Sequence, residues 1–312
     1  MFELEPDRTT GAFAFDTEAM AGRIDPAGAY HGVSSLFDKR TGRQLIHPDY
    51  SALNLFRLFA QHQAMGQPRF MGRSTSAAAG GVEIRWPPTA EHQVELVARY
   101  TVPEADAIDL RVTARSEGTY AGYELFLPSY FDPALRPRVS LRGNRYGEPA
   151  GDPDLVVPMV NDVYRGTVLV FARDPHAARR CVDGRWNRSE ADAPTVQMCP
   201  VRYYAHCLAF LTDPGERLAA ALMARPRDCY AISARYFAEN AADRMAPYSA
   251  FDLSLFGSDL VPGDEVSVGV RLALLPIEGD LDGPLQYYRA FTEATSARRP
   301  GPGPGQVSLT EC

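Results

Sequence analysis

The chain has 312 residues, 45% of them hydrophobic and 23% charged, so it can bury a large core in the manner of a soluble globular protein. A net charge of −7 excludes sequence-independent binding of phosphate backbones, which needs a surplus of Lys and Arg on one face, so nucleic acid is not an expected partner. No stretch stays apolar over the roughly eighteen residues of a membrane helix, and Met1-Phe2-Glu3-Leu4 lacks the basic start of a signal peptide, so no membrane partner and a cytoplasmic location are expected.

In chain order, strand-like segments fall at residues 11–15, 33–37, 53–59 and 82–86. The clearest pattern follows: Val94, Leu96, Ala98, Tyr100 and Val102 share one face, while Glu95, Val97, Arg99 and Thr101 take the other. After a turn at 103–106, Ile108, Leu110, Val112 and Ala114 alternate with Asp109, Arg111, Thr113 and Arg115, which predicts an antiparallel return strand. A third run, 120–130, ends in Ser129-Tyr130-Phe131-Asp132-Pro133. Further strands are predicted at 167–172, 205–212, 219–224, 229–235, 250–256 and 266–275, separated by turn signals such as Asp213-Pro214-Gly215. One helix is predicted at 283–295, with Pro284 in its first turn and Leu285, Tyr288 and Phe291 at helical spacing. From residue 297 the chain is rich in Pro and Gly and reads as a disordered tail.

These elements predict an all-β fold: a large antiparallel β-supersandwich with one C-terminal helix, forming a single domain over 1–296. Residues 142–161 and 173–200 lose periodicity and read as long loops, which in a compact domain often carry function. Five cysteines without a CxxC pair indicate neither a zinc site nor a disulfide framework, and Cys207 and Cys229 read as small buried hydrophobes. The chain has no GxSxG, HExxH, GxGxxG or Walker pattern, so hydrolase, zinc protease, dinucleotide and nucleotide triphosphate chemistries lack their local signatures. No metal or other cofactor is indicated.

The residues left to carry chemistry lie near strand ends. His62 follows the 53–59 strand, and its imidazole suits proton transfer on a sugar hydroxyl or ring oxygen; the plainer reading is a surface loop histidine. Alternation puts Arg202, Tyr204 and His206 on one face, where a guanidinium, a phenol and an imidazole could converge, or simply form a polar outer face. Glu124, Tyr130 and Asp132 set carboxylates beside aromatic rings, an arrangement that holds a pyranose by hydroxyl bonds and ring stacking, though Asp132 also suits a turn before Pro133. Trp186 offers a stacking surface in the second long loop, and Arg69 and Arg235 could hold an anionic group.

Three places carry a resemblance: Tyr30-His31-Gly32-Val33-Ser34-Ser35-Leu36-Phe37-Asp38-Lys39-Arg40-Thr41-Gly42, the strand Ala107-Ile108-Asp109-Leu110, and Ser129-Tyr130-Phe131-Asp132. In these the chain resembles the galactose mutarotase-like (aldose epimerase-like) superfamily of carbohydrate-binding supersandwiches. The resemblance implies a small sugar or oligosaccharide partner and isomerase-type, lyase or hydrolase chemistry. Pro128 stands where the mutarotase pattern has its acid histidine, and no Glu-Thr-Gln segment supplies its late glutamate base. His62, or His206 from the opposite sheet, would then replace the acid, and Glu124 or another carboxylate the base. A non-catalytic sugar-binding or sensor protein is the alternative expectation.

Overall fold

The computed structural model describes residues 1–60, 63–78, 80–143, 153–158, 168–181, 196–198, 202–235 and 248–297. Among these residues the strands form three sheets. The first is a five-stranded meander of β1 (Glu5–Pro6), β2 (Phe13–Asp16), β3 (Met20–Asp25), β4 (Gly32–Asp38) and β5 (Arg43–Gln44), ordered as in sequence. The second draws seven strands from along the chain: β6 (Arg57–Ala60), β7 (Gln63–Gly66), β12 (Tyr120–Phe131), β15 (Val168–Ala172), β16 (Val196–Met198), β19 (Cys229–Arg235) and β20 (Ser249–Leu260). Their order is β16-β15-β19-β20-β12-β6-β7.

The third sheet has nine strands: β8 (Ser74–Ala78), β9 (Gly81–Trp86), β10 (Val94–Glu104), β11 (Ala107–Ser116), β13 (Arg136–Leu141), β14 (Asp154–Val156), β17 (Tyr204–Thr212), β18 (Leu218–Ala224) and β21 (Glu265–Pro276). Their order is β14-β13-β17-β18-β21-β11-β10-β9-β8. Pairing is antiparallel throughout the described strands except between β15 and β16, which run parallel. Among the described residues there are also two α-helices, α1 (Pro175–Cys181) and α2 (Asp282–Ala297), and 3-10 turns at Pro68–Phe70 and Pro226–Asp228.

The expected alternation in β10 is realised: Val94, Leu96, Ala98, Tyr100 and Val102 are all fully buried. Each fully buried side chain of this size stabilises the fold by roughly 1.5–3 kcal/mol before conformational entropy is counted. These residues join Leu125 and Leu127 of β12, Leu253 and Leu255 of β20 and Leu272 and Leu274 of β21 in one core cluster. The predicted helix appears as α2 and packs on β17, β18 and β21 through Leu285, Tyr288 and Phe291. Cys207 and Cys229 are buried free thiols, as read from their apolar surroundings. The tail is expected from residue 297, but Ala297 is still the last residue of α2, and the rest of that tail lies outside the described residues.

Local chemistry overrides the sequence pattern in several places. The strand read at 53–59 begins only at Arg57, because Leu53 takes a left-handed conformation with φ 57. Its carbonyl accepts the Tyr100 hydroxyl at 2.7 Å and its N–H donates to Ser129 Oγ at 3.0 Å. Such backbone costs on the order of 1–3 kcal/mol at a non-glycine residue, so it persists only where its surroundings impose it. Strand β3 escaped the pattern because Gly22 interrupts it; a Cβ there would lie 2.2 Å from the Ser35 carbonyl oxygen. Within the segments read as loops stand β14, β16 and α1, the last capped where Ala177 N–H donates to Asp174 Oδ1 at 2.8 Å.

Candidate functional site

The site is built from the alternation of β12. Leu125, Leu127 and Phe131 enter the core, so Glu124, Phe126, Pro128 and Tyr130 face the other way. Cross-strand partners share a face, and the register carries this one across the sheet. Pro128 pairs with Asp252, Tyr130 with Ala250 and Phe126 with Ser254 on β20. Asp252 in turn pairs with Ser233, and Ala250 with Arg235, on β19. On the other flank Phe126 pairs with Arg57 of β6.

Arg57, Glu124, Ser233, Arg235, Asp252 and Ser254 therefore share the side turned from the core, yet each is 9% exposed or less. Shutting charged groups away from water is costly unless other groups replace the lost hydration.

A ring of tyrosines surrounds this charged floor. The segment 45–56 runs along β12, with His47 N–H donating to the Tyr130 carbonyl at 3.2 Å and Asn54 N–H to that of Pro128 at 3.2 Å. That path sets the Tyr50 ring 4.9 Å from Tyr130, with His47 stacked on Tyr50 at 4.8 Å. Tyr248 closes on Tyr130 at 5.0 Å and Tyr30 at 5.9 Å, so four half-buried phenols converge. Arg69, on the 3-10 turn Pro68–Phe70, holds its guanidinium 3.8 Å over the Phe56 ring.

Burial sets the electrostatics. It pushes the Asp252 carboxyl up to about 8, against the opposing pull of Arg235. Burial likewise holds the Tyr130 phenol well above its ordinary value, reinforced by the negative charge of Asp252. Tyr248, which accepts a hydrogen bond from Arg235 Nη1, is pushed up to about 12 by burial, with Arg235 working in the other direction. Desolvation lowers the Arg69 guanidinium, while Tyr30 and Tyr130 oppose that shift.

A carboxyl that titrates near neutrality can both give and take a proton. Phenols that stay neutral can donate and accept hydrogen bonds, and their rings present apolar faces. Among the described residues no group of three or more His, Cys, Asp or Glu side chains could hold a metal ion. No helix among them is long and apolar enough to cross a membrane.

Of the residues singled out from sequence, the structure brings Glu124, Tyr130, Arg235 and Arg69 to this side of the seven-stranded sheet. His62 and Trp186 lie outside the described residues. Asp132 accepts Ala134 N–H at 2.8 Å and pairs with Arg43 at 3.6 Å, so it stabilises the turn before Pro133.

The expected convergence of Arg202, Tyr204 and His206 does not occur. Arg202 lies before β17 and donates to Asp154 Oδ2 at 2.6 Å. Tyr204 is buried with its hydroxyl on the Cys229 carbonyl at 2.8 Å. His206 shares a hydrogen bond of 2.9 Å with Ser140 Oγ and lies edge-on to Tyr288 of α2. The three side chains thus have separate sets of partners, because β17 belongs to the nine-stranded sheet and is covered by α2.

Sequence reasoning missed Asp252, Arg57, Tyr30, Tyr50, Tyr248 and His47. The signal for Asp252 was present in the run Ala250-Phe251-Asp252-Leu253-Ser254-Leu255, where apolar and polar residues alternate. Alternation alone does not distinguish a polar side open to water from one that is covered.

No family profile matches the chain, and no curated protein sequence matches it. Solved structures do. A galactose mutarotase related enzyme from Lactobacillus acidophilus superposes with a TM-score of 0.52 at 9% identity, covering 86% of this chain and 99% of that one. A protein from Escherichia coli K12 provisionally assigned as an aldose 1-epimerase gives a TM-score of 0.52 at 11% identity, covering 85% of this chain and 99% of that one. At such identities the likeness is one of fold, and the chain is a mostly antiparallel β-sandwich similar to these galactose mutarotase-like structures.

Proposed function

We propose that the chain is a carbohydrate-active enzyme of isomerase or epimerase type within the galactose mutarotase-like superfamily, taking a sugar or uronic acid against the polar side of the seven-stranded sheet. The observation that carries this reading is Asp252. It stands directly across from Pro128, the position at which the resemblance would place an acid histidine, and its carboxyl is pushed up to about 8 by burial. A neutral carboxyl can deliver a proton to a ring oxygen while a second group takes the proton of the anomeric hydroxyl, and the reverse transfers close the ring on the other face. Glu124, on the same face of β12, is the proposed partner in that exchange.

Tyr50 and Tyr130 supply stacking surfaces for the apolar face of the sugar, and Arg57, Arg69 and Arg235 suit the carboxylate of a uronic acid. His62 and Trp186 are proposed as a further proton carrier and a further stacking group. The tyrosine ring by itself would equally serve a sugar-binding protein without turnover, which is the second reading.

Polarimetry of freshly dissolved α-D-galactose, α-D-glucose and α-D-galacturonic acid, paired with thermal-shift titrations, separates the two. Asp252→Asn should lower the rate on the order of 10²–10⁴-fold while the sugar still raises the melting temperature, and His206→Ala should change neither. Full turnover by Asp252→Asn would overturn the enzymatic assignment. Stabilisation by a sugar without any turnover in the native chain would favour the binding protein.

A further inference from the structure

The face of the nine-stranded sheet turned from the core carries a lattice of ion pairs. Arg85 meets Glu83 and Glu95, Arg115 meets Glu95 and Glu265, and Arg271 meets Asp109 and Glu104. Arg111, on the same face of β11, is exposed and meets no carboxylate among the described residues. Its direct neighbour on β10 is another cation, Arg99, and its neighbour on β21 is Gly269. Like charges placed directly opposite across a ladder repel.

The space beside Arg111 is open, since a Cβ on Gly269 would meet nothing within 4 Å. Arg225 and Arg227 border that space and share the single carboxylate of Asp228. With Arg271 and with Phe291 of α2 these side chains line a groove of about 660 Å³. That size falls within the range of small-ligand sites, and five arginines line it against two carboxylates, Glu104 and Asp109, both of which pair with Arg271.

We propose that this groove binds a small oxyanion of the phosphate class, either free phosphate or a phosphomonoester, between Arg111 and its neighbours Arg99 and Arg225. Guanidinium forks match tetrahedral oxyanions in charge and in paired hydrogen bonds. An anion seated there supplies Arg111 with the countercharge it lacks among the described residues, so binding stabilises the folded chain. Phe291 at the groove wall gives the organic part of a phosphomonoester an apolar surface. The site is separate from the tyrosine ring, which lies on the other large sheet.

The test uses the full chain, calorimetry and thermal shift, with inorganic phosphate and phenyl phosphate as probes. Both should bind and raise the melting temperature beyond what chloride of equal ionic strength does. Arg111→Ala should weaken binding about ten-fold or more, as expected when one charged hydrogen-bonding partner is lost. Arg111→Glu should abolish binding, yet in phosphate-free buffer melt at or above the native temperature, because it sets an acid opposite Arg99. Tighter binding of phenyl phosphate identifies a phosphomonoester site, and equal affinities identify a site for the free anion. Native affinity in both Arg111 variants, a response that chloride reproduces, or binding lost only in Arg69→Ala would overturn the proposal.

Discussion

Two charged faces of this molecule are built by the same rule and serve opposite ends. On the nine-stranded sheet, Arg85, Glu95, Arg115 and Glu265 alternate with core residues, face solvent and pair along the ladder. On the seven-stranded sheet, Arg57, Glu124, Arg235 and Asp252 also alternate with core residues, but chain lies over them and they are buried. Exposed pairs are screened and contribute little. Buried charges are costly to keep and shift their proton affinities, so a cluster of them marks the face where chemistry is to be sought.

The sharpest way to break this contrast is to remove one cation from each face. Arg235→Ala deletes a buried guanidinium that stacks 4.8 Å over Tyr248, and should destabilise the chain on the order of 3 kcal/mol in urea denaturation. A loss no larger than that of a surface substitution would show that this buried face is not energetically distinct.

A second effect sharpens the comparison through pH. In the unfolded chain Asp252 titrates near its ordinary 3.8, and in the fold near about 8. Between those values the folded chain holds a proton that the unfolded chain has released. The stability tied to this group is therefore full below about pH 4 and is lost as pH rises to about 8. His31 and His92 act with the opposite sign, since burial lowers them from 6.5 to about 3 and to about 4. Their stability is present above about pH 6.5 and is lost on acidification. Denaturation midpoints measured from about pH 5 to 9 should reveal both limbs, and Asp252→Asn should flatten the alkaline one and steepen the acid one, where the opposing contribution of Asp252 is removed.

The smallest effect belongs to the exposed lattice. Arg115→Ala should move the denaturation midpoint only slightly, and that difference should vanish in high salt, because its partners Glu95 and Glu265 sit in water. A large, salt-resistant loss would erase the distinction between the two faces.

Much of the fold was legible in the sequence where one side of a strand is apolar. Val94 to Val102, the return strand to Ala114 and the stripe Leu285, Tyr288 and Phe291 were read correctly because burial imposes periods of two and 3.6 residues. Strand β8, with the sequence Ser74-Thr75-Ser76-Ala77-Ala78, carries no such pattern because it is a largely exposed edge. Strand β13 was hidden by Pro137, which nonetheless pairs with Leu211. Of the site, Glu124, Tyr130, Arg69 and Arg235 were singled out one by one, but nothing local linked them. Tyr30, Tyr50 and Tyr248 come from three distant connections.

The residue order by itself determined that the chain would make antiparallel layers, which positions of each strand would face the core, and that a late amphipathic helix would cover them. It did so because backbone periodicity and the hydrophobic effect act over a few neighbours. Only the tertiary structure decided which polar sides would be covered, placed Asp252 across from Pro128 and beside Ser233, and gathered four tyrosines around them. Those outcomes depend on strand order and register between segments far apart in the chain, as between Pro128 and Asp252, and proton affinity follows from the solvent exclusion that only the assembled sheets create.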